Sequence, residues 1–138
     1  MEEMTVSQLA QLAGVEPHVV RYYSREGLLR PQRNPDNGYM LFDGSDIHRL
    51  QFIRLAKSLG YTLGEIEDIL LDAERGESPC PKVRDILMHR IDETRQKVKE
   101  LTSLQRRMEK ALKQWEQMPD GVPDGHTVCH LIESFTKS

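Results

Sequence analysis

One uninterrupted stretch, residues 81–117, constrains this chain more than any other. It reads PKVRDILMHRIDETRQKVKELTSLQRRMEKALKQWEQ and carries no Gly or Pro after Pro81. Leu87, Ile91, Thr94, Val98, Leu101, Gln105, Met108, Leu112 and Trp115 recur at alternating steps of four and three. This is a heptad seam sustained over about four heptads, with charged residues on the other faces. At about 1.5 Å per residue such a helix is roughly 55 Å long. The rest of the chain is too short to cover that length. The stripe therefore predicts a coiled-coil dimerisation helix rather than a helix packed on its own domain. Polar Thr94 and Gln105 lie in the seam, where they can set register and strand number.

Composition narrows the class. The 138 residues suffice for one modest domain and an appended element. The acidic N-terminus, MEEMTVSQLAQLAGV, has apolar runs too short for a signal segment or a membrane span. A cytoplasmic location is the default expectation, with no membrane partner. Two cysteines, Cys80 and Cys129, are too few for a disulfide scaffold. No nucleophile–base pair, paired catalytic carboxylates or phosphate-cradling glycine loop is evident, so an enzyme is not expected. The formal charge of −3 conceals a local asymmetry: between Pro17 and Asn34 stand four arginines (Arg21, Arg25, Arg30, Arg33) and one carboxylate (Glu26). Phosphate contacts depend on charge at the contact face, so the local excess outweighs the acidic total.

Taken in order, Thr5 is the predicted N-cap of a helix over Val6–Ala13, stopped by Gly14. Pro17 opens a second helix through about Arg25. Two short helices joined by a tight Gly-containing turn form a helix-turn-helix signature. Arg21, Tyr22, Tyr23 and Arg25 on the second helix supply cationic and phenolic donors suited to phosphates and base edges, and His18 at its start is either a phosphate or base contact or a solvated first-turn residue. Adjacent tyrosines face different ways, so one of Tyr22 and Tyr23 is expected in the core. Short runs near Leu29–Gln32 and Tyr39–Phe42 flank a turn containing Asn34, Pro35, Asp36, Asn37 and Gly38, which predicts a hairpin, or wing. Arg30 and Arg33 on it can reach phosphates. A third helix is predicted over Ile47–Leu59, capped by Ser45 or Asp43. A fourth opens at Thr62 with Glu65 as its capping-box partner and runs to about Glu74, with Leu63, Ile66, Ile69, Leu70 and Ala73 as its core stripe. RGESPCP then breaks the chain before the long helix, MPDGVPDGHT follows it, and Val128–Phe135 makes one or two final helical turns.

These motifs carry a resemblance. The order T-V-S-Q-L-A, V-R-Y-Y, G-L-L-R-P, G-Y, L-G-Y-T-L-G-E-I and I-L-L resembles the MerR family of bacterial transcription regulators over roughly residues 4–118. The resemblance implies a mainly α fold: a winged helix-turn-helix domain with two supporting helices (4–75), an antiparallel coiled-coil dimerisation helix (79–118) and an effector loop with a short terminal helix (119–138). It implies a homodimer that binds double-stranded promoter DNA. The effector-bound dimer would distort that DNA for RNA polymerase. Arg21, Tyr22 and Tyr23 fall on the recognition helix, and Arg33 and Tyr39 on the wing. With Thr5, His18 and Arg25 they form the candidate DNA-binding set. The family's wing usually reads Gly-Tyr-Arg; here it is Gly38-Tyr39-Met40. The contact of that arginine is missing.

Within the family, Cys80 in S-P-C-P resembles the first ligand of the divalent-metal sensors, where Cu(I) and Ag(I) sensors usually carry Ser. Cys129 stands in the place of that branch's last loop cysteine. The branch has a further loop cysteine upstream, where this chain has Pro119, Asp120 and Gly121. The long helix keeps Cys80 and Cys129 apart in one chain. In an antiparallel dimer the start of one helix lies beside the end of the other, so the two thiols can meet across the interface. His126 and His130, with Asp120 and Asp124 as further candidates, can complete a Cys₂His or Cys₂His₂ site. Zinc is the favoured occupant, ahead of Cd, Pb or Hg. His126 and His130, four apart, lie together only if that piece is helical. Two alternatives stay open: a thiol-based redox or electrophile sensor on the same scaffold, and, from another class, a metal-binding coiled-coil protein without DNA binding.

Overall fold

The computed structural model describes residues 3–135 and divides the chain into two compact units, Met1–Leu87 and Met88–Ser138. Six helices and one two-stranded ladder follow in chain order: α1 (Val6–Ala13), α2 (Pro17–Arg25), β1 (Gln32–Arg33), β2 (Met40–Leu41), α3 (Gly44–Ser58), α4 (Leu63–Glu74), α5 (Cys80–Trp115) and α6 (His130–Ser134).

In the first unit, or head, each helix begins on a local signal. Thr5 caps α1 through a capping box: its hydroxyl accepts from the Gln8 amide at 3.2 Å, and the Gln8 side chain accepts from the Thr5 amide at 2.9 Å. Thr62 and Glu65 repeat the arrangement at α4. Asp43 and Asp46 repeat it at α3, which starts three residues earlier than Ile47. The early start follows from the cap: once Asp43 holds the Ser45 amide, Gly44 and Ser45 already lie in the first turn.

The head core is apolar throughout among the described residues. Leu9, Val20, Leu28, Leu29, Phe42, Leu50, Ile53 and Ile66 are its largest fully buried members. Burying such side chains contributes about 1.5–3 kcal/mol each relative to exposure. Ile66 and Ile69 are buried on α4 and Leu63 and Leu70 half-buried, but Ala73 is exposed and does not join the stripe.

The wing pairs Gln32 with Leu41 and Arg33 with Met40, antiparallel. Its first strand lies later than the expected run at Leu29–Gln32. Leu28 and Leu29 are pulled into the core instead, and both of their amides donate to the Tyr23 carbonyl. Those amides cannot also serve a ladder. At the wing tip Gly38 adopts φ 73°, where a side chain would be strained, and its amide donates to the Asn34 carbonyl at 2.8 Å. A contact absent from any sequence signal closes the base. Met4 and Phe42 exchange both backbone hydrogen bonds, at 2.7 and 2.8 Å, and so tie the residue before the α1 cap to the end of the wing.

The start of α5 belongs to the head. Val83, Ile86 and Leu87 pack against its core, Tyr61 donates its hydroxyl proton to the Val83 carbonyl at 2.8 Å, and Lys82 pairs with Asp72 at 2.7 Å. In the second unit, α5 carries an exposed apolar stripe: Met88, Ile91, Val98, Leu101, Met108 and Leu112. Near its end, Leu104, Met108, Ala111 and Trp115 line an apolar cavity with Ile132 and Phe135 of the terminal segment.

Candidate nucleic-acid interface and candidate metal centre

Within the head, α2 and the wing enclose one open concavity. Arg21, Ser24 and Arg25 line it from α2, and Arg30, Pro31, Arg33 and Met40 from the wing. All four arginines of the basic segment thus converge, although they are spread over 13 residues of sequence from Arg21 to Arg33. Such an arrangement is a footprint for a phosphate backbone, with helix side chains beside it able to reach base edges.

The other expected DNA contacts divide. Tyr22 is exposed, whereas Tyr23 is only 9% exposed and belongs to the core, with its ring 5.3 Å from that of Tyr22. Tyr23 is thereby the core member of the pair, which removes its ring from the DNA-facing set. His18 is exposed in the first turn of α2, one residue after Pro17. Thr5 is exposed, but its hydroxyl is already used as the α1 cap. Tyr39 is 67% exposed at the wing. Arg33 is partly committed: its Nη1 donates to the Gly38 carbonyl at 2.9 Å and so braces the hairpin. Met40 stands half-buried opposite it.

Two residues that no sequence signal singled out complete the picture. Glu74, at the end of α4, accepts from Arg49 at 2.9 Å and lies 3.4 Å from Arg30. Arg49 in turn donates through Nε to the Leu28 carbonyl. The partners are 25 and 44 residues from Glu74, beyond any local pattern.

At the sensor end, Cys80 is the exposed first residue of α5, and its amide donates to the Ser78 hydroxyl at 3.3 Å. Cys129 is the half-buried N-cap residue of α6, with its amide donating to Glu133 at 3.1 Å. The loop before α6 forms a concavity lined by Asp120, Gly121, Asp124, Cys129 and His130 among others. The His130 ring lies so close to Gly121 that a methyl there would stand 2.2 Å from its Nδ1. Glycine is required at 121 for that approach. Asp124 accepts from the His126 and Thr127 amides at 2.9 and 2.8 Å, and the His126 bond first of all holds its carboxyl below the usual value. His126 is exposed in this turn, outside α6, and does not line the concavity. The helical register that would join it to His130 does not form. Among the described residues, no three of His, Cys, Asp and Glu in one chain assemble a metal-binding group. The donors lining this concavity are one thiol, one imidazole and the carboxylates of Asp120 and Asp124, ligand types that suit a borderline metal.

A winged helix-turn-helix head with an arginine-lined face, followed by a 36-residue helix, is the architecture of a DNA-binding regulator. Residues 4–73 match the MerR HTH family regulatory protein description, and residues 47–111 match the DNA-binding region of MerR proteins. The chain belongs to the MerR family of transcription regulators. It is 30% identical to the mercuric resistance operon regulatory protein of Bacillus cereus, over 96% of each chain. It is 32% identical to the HTH-type transcriptional regulator ZntR of Escherichia coli K12, over 94% of this chain and 90% of that one. Among solved structures it resembles the regulator PbrR691 of Ralstonia metallidurans CH34 in complex with lead(II), with a TM-score of 0.73, 28% identity, and 96% and 99% of the two chains covered. Among the described residues, no helix is long and apolar enough to cross a membrane.

Proposed function

We propose that this chain is a metal-responsive transcription activator that works as a homodimer. The exposed stripes of two α5 helices pair, antiparallel, and each α2 and wing contacts one half of a promoter element. The arginine-lined concavity contacts phosphates, with Tyr22, His18 and Tyr39 beside it. A thiophilic divalent ion, zinc foremost, is held by Cys80 of one subunit and by Cys129 and His130 of the other. The observation that carries this reading is the placement of the two thiols. One opens α5 and the other caps the helix beyond it, so the 36 residues between the ends of α5, rising about 54 Å, favour ligation between subunits. The mercury- and lead-associated relatives support the metal.

The first turn of α5 is bolted to the head through Lys82–Asp72 and Tyr61–Val83. A ligand drawing on Cys80 therefore acts on a turn fastened to α4 and to the head core. Metal binding reshapes the bound promoter for RNA polymerase by this route. The test is titration of the reduced protein with Cd²⁺, read by thiolate-to-metal charge-transfer absorbance. Two ions per dimer and loss of the band in both Cys80→Ser and Cys129→Ser are expected. An unchanged band in either variant, or an intersubunit disulfide as the only response, sinks the metal reading in favour of redox sensing.

A further inference from the structure

Of the four arginines facing the concavity, Arg30 has a second claimant. Its Nη1 lies 3.4 Å from both carboxylate oxygens of Glu74. This pair is open to solvent, with the side chains 54% and 39% exposed. The same carboxylate is fastened by Arg49 at 2.9 Å, and Arg49 is itself anchored to the Leu28 carbonyl. Glu74 is therefore fixed in place by one guanidinium while holding the other loosely. The hydrogen bond from Arg49, with help from Arg30, keeps its carboxyl below the usual value, so it is anionic at neutral pH. To an arginine, a fixed carboxylate offers the same paired oxygen acceptors as a backbone phosphate.

We propose that Glu74 is an internal competitor of the DNA backbone: it holds Arg30 in the free protein and so sets the affinity and salt dependence of the concavity for DNA. This rests on the concavity being the DNA-binding face. An exposed pair at 3.4 Å is weak, so a phosphate can take Arg30 over at small cost. Each phosphate that Arg30 reaches adds one unit of counterion release, which the Arg30–Glu74 pair otherwise offsets. Glu74 is a positioning residue, acting on DNA only through Arg30. It stands six residues before Cys80, at the end of the helix that leads to the sensor thiol.

Glu74→Gln is the informative change, because the amide oxygen still accepts from Arg49 while the charge is gone. Binding to a fluorescent mixed-sequence duplex of about 30 base pairs is measured by anisotropy across a KCl series. Glu74→Gln is expected to tighten Kd about two- to fivefold at low salt, the range an exposed ion pair supplies. The slope of log Kd against log salt steepens by up to about 0.9. In an Arg30→Ala background both changes vanish. Unaltered or weaker binding by folded Glu74→Gln overturns the inference, and so does equal tightening without Arg30, which reports only a lost negative charge. Should Glu74→Gln fail to melt cooperatively, Glu74→Asp, one methylene shorter, is judged by whether Kd tightens and whether that tightening is lost in the Arg30→Ala background. Arg21→Ala separates the two layers: if it binds as wild type, the concavity is not the DNA face. If it binds weakly while Glu74→Gln is unmoved, only the role of Glu74 is wrong.

Discussion

Tyr22 and Tyr23 are neighbours in sequence with opposite surroundings. A helix turns about 100° per residue, so one ring must point away from the face the other occupies. Val20 and Tyr23 are the buried members of α2, which leaves Arg21 and Tyr22 outward. Asp43 shows how a single carboxylate can govern an element. Its side-chain bond with Ser45 is the leading reason its carboxyl is held below the usual value. A lowered folded-state pKa means stability that is present above the ordinary value and lost as pH falls through the lowered one. Asp43→Asn keeps a capping oxygen but does not titrate. Wild type should therefore lose thermal stability relative to Asp43→Asn as pH is lowered from about 6 to 3, and parallel melting curves across that range would refute the assignment. Gly121 sets a different kind of limit. A methyl at 121 meets the His130 ring, so Gly121→Ala should push the imidazole out of the loop. If His130 is a ligand, Cd²⁺ affinity measured by chelator competition should fall about tenfold or more, as for lost support of a ligand, with the head's melting unchanged.

At the scale of elements, the helices of the head announce themselves and the strands do not. Thr5–Gln8 and Thr62–Glu65 are capping boxes at a spacing of three, visible in sequence because both partners are local. The wing is only two residues per strand, and its position was decided by Leu28 and Leu29 entering the core. Ala73 was expected in the α4 stripe and is exposed, since a stripe records periodicity and not where the neighbouring surface ends. Core positions should respond as packed sites do: Ile53→Ala is expected to cost about 2–5 kcal/mol in urea unfolding, because the cavity it leaves cannot fully collapse. For α5 the heptad reading carries a direct consequence. Val98 and Leu101 are 57% and 65% exposed on the protomer. Charges there oppose pairing, so Val98→Glu with Leu101→Lys should shift the protein toward monomer in sedimentation velocity while the head remains folded. An unaltered dimer would place the interface elsewhere.

For the whole molecule, the decisive question is whether one subunit can sense alone. If each metal lies between Cys80 of one chain and Cys129 of the other, mixing Cys80→Ser and Cys129→Ser subunits rebuilds one intact site in every heterodimer. Refolding an equimolar mixture should then recover Cd²⁺ binding that neither variant shows by itself, whereas a site within one chain recovers none. The sequence by itself determined the helix-turn-helix, its local excess of arginine, the uninterrupted α5 and the two thiols flanking it. Each of these is written in neighbouring residues, through caps, breakers and the 3.5-residue repeat. Tertiary structure alone decided which tyrosine is core, that four arginines share one concavity, and that Met4 closes the wing against Phe42. It also brought Glu74 within reach of Arg49 and Arg30, and His130 against Gly121 while leaving His126 outside. These contacts join residues by packing rather than by spacing, and a linear pattern holds no record of a meeting 44 residues away.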